Sequence, residues 1–251
     1  MKSPLKILII ALVFLSANSA TAQDKAKDIF LKATELLKTE SVEMAMAIDV
    51  TDDKGRLKSK ELTVLMAKFG DEEKTKVVWQ QPERAKGTTV VISQLPGETG
   101  TIEVYTPSND KTRKLRATDA NMNLIGSEFN MMSFANSNPE ELNYALLNDT
   151  VINSISCHQI KVSGAEAKDQ SGAVLVIRKD SNFIIQVSRF DENNKAVSLS
   201  HLSDYKKIAG DGSKMYPTHI TTTDYEGNKR IDIRIMNVTA KKGLTKDAFS
   251  L

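Results

Sequence analysis

The chain carries few residues able to do chemistry: three histidines, one cysteine and one compact glycine–serine–acid cluster, Gly126-Ser127-Glu128. Cys157 and His158 are adjacent, which is the composition of a thiol–imidazole dyad in which the ring takes the thiol proton. They sit, however, in a segment that alternates like a strand, Ser156 to Val162, and neighbouring side chains of a strand point to opposite faces. The spacing therefore predicts that the two do not pair and that Cys157 is a buried structural cysteine. His201 and His219 stand alone in strand-like segments, without the His-x-His or Cys-x-x-Cys spacing of a metal site. Ser127 lies outside any Gly-x-Ser-x-Gly elbow, and no residue in the sequence nominates itself as its base. A hydrolase using Ser127 with Glu128 is the weaker reading. The carboxylate pairs Glu72/Glu73 and Glu140/Glu141 fall at a turn and at a helix start, where acids are solvated or favour the helix N-terminus. The expectation is a protein that is not an enzyme, with no metal and no cofactor.

What remains is apolar surface. Nine methionines are a generous supply, and flexible thioethers suit irregular apolar shapes. Met44, Met46, Ile48, Val64, Met66 and Trp79 recur at strand spacing in the first half. Met122 to Phe134 then breaks the pattern. It packs Leu124, Phe129, Met131, Met132 and Phe134 around Gly126, a residue that a strand interior disfavours. Two readings stand for this segment: a plug that fills the core, or a cover over an apolar hollow with Phe129, Met131, Met132 and Phe134 as its inner face. In either, Gly126 is a backbone bend, with Ser127 and Glu128 its polar stitching.

The elements that must position these residues are mostly strands. Asp24 is a plausible cap for an amphipathic helix with Ile29, Phe30, Ala33, Leu36 and Leu37 at helical spacing. The period then switches to two. Val42 to Val50, Leu62 to Met66 and Lys76 to Trp79 alternate across the turns Asp52-Asp53-Lys54-Gly55 and Gly70-Asp71-Glu72. Strand patterns follow at Thr88–Gln94, Thr101–Tyr105 and Lys111–Arg116, separated by Pro96-Gly97 and Pro107-Ser108-Asn109-Asp110. Asn138-Pro139-Glu140-Glu141 reads as a helix start, with proline at the first helical position. The alternation then resumes and runs to Val238. About eleven antiparallel strands and a few helices in one domain predict a mainly β, α+β fold, in which a twisted sheet curls toward a barrel. A barrel left incomplete, with helices across it, encloses an apolar hollow of the kind that takes small molecules.

The start of the chain reads as a signal peptide over residues 1–22. Lys2 and Lys6 form a basic region, Ile7 to Leu15 is apolar, and Ala20-Thr21-Ala22 is a small-x-small cleavage site. Nine apolar residues are too few for a bilayer span, which takes roughly 20. A single domain over 23–251 is then expected, exported to the periplasm of a Gram-negative cell as a monomer. Lys2 and Lys6 account for the whole excess of 34 basic over 32 acidic residues. A balanced mature charge argues against nucleic acid as a partner. A single cysteine leaves stability to packing rather than to disulfides.

Several motifs occur in a fixed order. Trp79-Gln80-Gln81-Pro82 precedes Lys86-Gly87-Thr88. Val104-Tyr105-Thr106-Pro107 comes next with Arg113-Lys114-Leu115, and Leu124-Ile125-Gly126-Ser127-Glu128-Phe129 closes the series. In combination they resemble the outer-membrane lipoprotein-sorting family, the LolA-like periplasmic carriers, in the branch with a Gly-Ser-acid-Phe motif. Glu128 stands where that branch more often has Asp. The resemblance implies an incomplete antiparallel barrel around a hydrophobic cavity covered by helices. It implies as cargo a lipid or the acyl chains of a lipoprotein, carried toward the outer membrane between an inner-membrane transporter and an outer-membrane acceptor. The alternative is a lipid-sensing accessory module docked on an inner-membrane lipid transporter.

Overall fold

Turn chemistry cuts this sequence into strands, and the alternation between the turns decides which face each strand buries. In the computed structural model, residues 22–95, 98–118, 139–164 and 172–251 are described. They hold one α-helix, α1 (22–35), and fourteen strands. The first six are β1 (Ser41–Thr51), β2 (Leu57–Phe69), β3 (Glu72–Gln81), β4 (Thr89–Gln94), β5 (Thr101–Thr106) and β6 (Lys111–Arg116). There follow β7 (Leu142–Leu146), β8 (Thr150–Ile152), β9 (Ile155–Gly164), β10 (Gly172–Arg178) and β11 (Ile184–Phe190). The last three are β12 (Ala196–Ile208), β13 (Asp211–Asp224) and β14 (Lys229–Ala240).

Fourteen strands correct the expected eleven. One reason is local: the helix expected from Pro139 is a single 3-10 turn, Pro139–Glu141, and the chain goes straight into β7. Tyr144 is buried there and takes a strand partner, Val162 of β9, so tertiary pairing overrides the capping signal. A second correction concerns Asp24, which lies within α1 and is exposed rather than capping it.

The chain forms two compact units. Of the described residues, one comprises α1, 139–164 and 172–199, the other 36–95, 98–118 and 200–251, with the division falling inside β12. In the first unit the strands run in the order β11-β10-β9-β7, with β8 pairing separately with β9. Ala26, Ile29, Phe30, Ala33 and Thr34 form the buried stripe of α1, at the i, i+3, i+4 spacing of one helix face. Phe30 packs on Tyr144 with ring centroids 5.3 Å apart, and Lys27 donates to both carboxylate oxygens of Glu140 at 2.8 Å. These contacts seat the helix on the sheet face of Tyr144 and its register partner Val162.

The second unit is an open antiparallel sheet in the order β6-β5-β4-β3-β2-β1-β14-β13-β12. Its hairpins carry the expected turn chemistry. Asp52 Oδ1 accepts from the backbone N–H of Lys54 and Arg56, and Gly55 has φ +73°, a conformation that glycine adopts without strain. One face of this sheet is a continuous core: alternate residues of β1 (Val42, Met44, Met46, Ile48) meet Leu62 and Val64 of β2, Val77 of β3 and Ile231, Ile233 and Ile235 of β14. The opposite face is covered over β2–β4 by the C-terminal residues. Phe249 is 4% exposed and packs with Ala67 and Val91, meeting Phe69 edge-on at 5.7 Å. Lys76 Nζ donates to the backbone carbonyls of Ala248 and Ser250.

Lys60 is the misfit in this pattern. It follows Met66, Val64 and Leu62 at period two along β2, and its register partner is the buried Ile48. A half-buried ammonium loses hydration, and desolvation pushes the Lys60 pKa down to about 8 from 10.5. Because the folded-state pKa lies below the unfolded one, the folded chain holds fewer protons between these values. Stability contributed at this position is therefore lowest below pH 8 and rises as pH climbs toward 10.5.

Two outcomes follow from this packing. Denaturant titrations of the unmodified protein and Lys60→Met should show the unmodified protein gaining stability relative to the variant between pH 8 and pH 10.5. Phe249→Ala removes the aromatic that covers Ala67 and Val91 and should lower unfolding stability by about 3 kcal/mol, read as a lower midpoint in the same titrations.

Candidate functional site

The predicted cavity residues that fall within the described chain all come together. Met44 pairs with Val64 and Met46 with Leu62 across β1 and β2, and Val64 pairs with Val77 and Leu62 with Trp79 across β2 and β3. Met44, Met46, Ile48 and Val64 are buried, while Met66 and Trp79 are partly buried against the same cluster. Antiparallel register explains this: residues two apart share a face, and opposite partners share it too. The predicted cover residues Leu124, Phe129, Met131, Met132 and Phe134, with Gly126, Ser127 and Glu128, lie outside the described residues.

Sequence reasoning missed part of this face. Leu62, Val77, Val90, Ile92 and Ile102 belong to it, and the alternation that groups Met44 with Val64 also marks them. Lys60 was missed for a different reason. Its signal, a lysine in phase with Leu62, Val64 and Met66, is legible only once the register with Ile48 shows that the buried face extends that far.

The family-like motifs form a corner of the second unit rather than a catalytic centre. Trp79 N–H donates to the Thr88 carbonyl at 3.0 Å and Gly87 N–H returns to the Trp79 carbonyl at 2.8 Å. Between them Pro82 leads into a 3-10 turn, Glu83–Ala85. Gly87 has φ +79°, and a Cβ there would stand 3.2 Å from Pro107 Cγ. Trp-x-x-Pro, Lys-Gly-Thr and Tyr-x-Pro thus meet because the β3–β4 connection and the β5–β6 turn abut. Tyr105 extends this corner, its hydroxyl donating to Asp110 Oδ1 at 3.1 Å.

Residues suited to chemistry are occupied structurally. Cys157 is buried, and burial pushes its thiol pKa up, which suppresses the reactive thiolate. His158 points the other way along β9 and pairs through Nδ1 with Asp149 at 3.0 Å, which also binds Lys179. The Lys179 and His158 hydrogen bonds hold the Asp149 carboxyl below its usual range. His219 Nε2 lies 3.1 Å from Asp232, which Arg234 links to Asp49. This network alternates with Ile220, Ile233 and Ile48 and so occupies the face opposite the core. His201 is exposed. Glu72 is bound by Lys74 and Lys246, whose hydrogen bonds lower its pKa. Among the described residues no group of three or more His, Cys, Asp or Glu is placed to hold a metal ion, and no helix is long and apolar enough to cross a membrane.

Comparison with known proteins gives the fold a setting. A family model described as "-like: Uncharacterized protein" matches residues 71–251, more than half of the chain. No curated protein matches it. Among solved structures, a DUF1329 family protein from Desulfovibrio piger superposes with a TM-score of 0.76 at 16% identity, covering 91% of this chain and 97% of that one. An outer membrane lipoprotein-sorting protein domain from Vibrio parahaemolyticus gives 0.74 at 14% identity, over 90% and 97%. A LolA superfamily protein from Nitrosomonas europaea gives 0.64 at 15% identity, again over 90% and 97%. The chain belongs to the family that this model defines and shares its fold with outer-membrane lipoprotein-sorting and LolA-superfamily structures.

Proposed function

We propose that the protein is a periplasmic carrier that binds the acyl chains of a lipid or a lipoprotein against the apolar face of its second unit. The observation that supports this best is that face itself. Methionines and branched residues from adjoining strands form one uncharged strip, Met44, Met46, Ile48, Val64, Met66 and Trp79 among them. The lipoprotein-sorting name borne by the Vibrio structure agrees with such a cargo, as does a start that reads as a signal peptide cleaved after residue 22. Binding needs no covalent step.

Magnitudes favour a long cargo chain. Each methylene taken from water contributes about 0.8 kcal/mol, so roughly 12 of them supply about 10 kcal/mol, comparable to the cost of association itself. Short chains would leave no surplus. A carrier of this kind takes its cargo from an inner-membrane transporter and gives it to an outer-membrane acceptor, so it holds each partner only briefly.

Native mass spectrometry of the protein isolated from the periplasm should show a lipid-sized adduct. Met66→Trp, which fills space at a half-buried position of the face, should reduce uptake of a fluorescent acyl probe at least fivefold while the thermal midpoint stays within a few degrees. Adduct-free spectra together with no probe uptake by the unmodified protein would overturn this reading. One membrane protein co-purifying stably with it would point to the lipid-sensing accessory role.

A further inference from the structure

We propose that the lysines around the β12–β13 turn form a docking surface for an anionic lipid membrane. This goes beyond the carrier reading and does not depend on it, since an accessory module would use such a surface equally. The juxtaposition behind it is an isolated parallel bridge between Ala209 and Thr239. Ala209 N–H donates to the Val238 carbonyl at 3.1 Å, and Ala240 N–H donates to the Ala209 carbonyl at 2.7 Å. The β13–β14 ladder begins only at His219, just after Pro217, which has no N–H to give to a ladder. Before that point the β12–β13 turn, rather than β13 itself, meets β14.

The bridge brings together two lysine pairs that are far apart in sequence. Lys206 and Lys207 come three and two residues before Ala209, and Lys241 and Lys242 two and three residues after Thr239. At about 3.8 Å between consecutive Cα atoms, all four backbones lie within about 11 Å of the bridge. That is close to a Debye length, so their fields add at physiological salt. Lys206, Lys207 and Lys242 are exposed. Lys206 and Lys207 carry no ion pair among the described residues, and Asp204 beside them faces His219 at 3.9 Å.

The carboxylates nearby do not cancel this charge. Lys241 Nζ lies 3.2 Å from Glu43. Hydrogen bonds from Ser213, and then the charges of Lys214 and Lys242, hold the Asp211 carboxyl below its usual range. Five lysines thus gather around Asp211 and Glu43, while Lys38 and Glu40, on the segment leading into β1, offset each other. In a chain of 34 basic and 32 acidic residues this is a local concentration of one sign.

The kind of cation favours a membrane over a single anionic group. Neither 200–216 nor 236–251 contains an arginine. Lysine is a point charge on a flexible stem, whereas the arginine fork matches one carboxylate or phosphate. Mobile point charges suit the diffuse negative potential of anionic lipids, which draws in clustered lysines. Met236, 60% exposed, lies three residues before Thr239 on β14, and adds an apolar side chain next to the charged ones.

Flotation of the protein isolated from the periplasm tests this, with phosphatidylglycerol in phosphatidylethanolamine as the anionic vesicle and phosphatidylcholine as the neutral one. The unmodified protein should float with the anionic vesicles alone, and a rise from about 0.05 to about 0.5 M salt should weaken binding about tenfold or more. Lys206→Gln, Lys207→Gln and Lys242→Gln combined should lose about tenfold or more. Lys206→Arg, Lys207→Arg and Lys242→Arg combined should keep binding, because the charge is kept. Thermal melts and uptake of the acyl probe should be unchanged in both. A loss in Lys111→Gln with Arg113→Gln, on β6, as large as in the glutamine triple variant overturns the assignment. So does equal binding to both vesicles, or binding of soluble polyglutamate ahead of vesicles, which would point to an acidic protein partner. Absent vesicle binding with intact probe uptake overturns docking and leaves the carrier reading, and vesicle binding without probe uptake does the reverse.

Discussion

The constraint on which this structure depends is the two-sidedness of an antiparallel ladder. Every pairing fixes which residues share a face, so a single apolar alternation in β1 propagates through its partners across the sheet. Val42, Met44, Met46 and Ile48 select Met66, Val64, Leu62 and Lys60 on one side and Val238, Ile235 and Ile233 on the other. The irregularity between Ala45 and Met46, where β14 carries an extra residue, keeps both halves of the pairing on the same face. A slip of one residue would instead put Asp49, Glu61 and Arg234 into the core. Burial of charge at that scale is prohibitive, which is why the register holds.

The two faces of the second unit serve different ends. The outward face of β1, β13 and β14 carries the ion-pair network of His219, Asp232, Arg234 and Asp49, and over β2–β4 the C-terminal residues cover it with Phe249. The inward face holds the methionines, whose unbranched side chains repack at small energetic cost. Ile231, Ile233 and Ile235 supply stiffer walls, being restricted at χ1. A wall of isoleucine beside a wall of methionine combines a fixed shape with an adaptable one, which suits a ligand whose chain is flexible.

Much of this architecture was legible in the sequence because period-two burial and turn residues act locally. Lys111–Arg116 is bounded as its alternation predicts, and the alternation at Met44, Met46 and Val64 places them on one face, as found. The helix expected at Pro139 failed because proline and two glutamates are compatible with one 3-10 turn, and only the pairing of Tyr144 with Val162 makes the following residues a strand. Pro217 lies inside β13, although proline argues against a strand interior when read alone. Lys60 was invisible for a third reason. A lysine among polar neighbours looks solvated, and its placement depends on Ile48, twelve residues earlier and on another strand. Motif order located the Trp79–Gly87–Pro107 corner, yet the physical reason for glycine there, a left-handed φ with the Pro107 ring close by, exists only in three dimensions.

An open sheet carries a liability that a closed barrel avoids, because its last strand offers unpaired backbone groups to any other chain. Among the described residues of the second unit that strand is β6, which ends the order beyond β5. Its sequence, Lys-Thr-Arg-Lys-Leu-Arg, is the most basic of any strand described, and of its residues Leu115 packs against the core. Lysine and arginine on an edge resist pairing with a second copy through like-charge repulsion and the loss of hydration. Lys114 is additionally held by Glu103 of β5 at 2.9 Å, which ties the edge back to its own sheet. The strand is also short, six residues against thirteen in β2, so the exposed ladder is limited in length as well as in charge. Charge is thus concentrated on the edge strand, where it guards the open ladder against pairing with other chains.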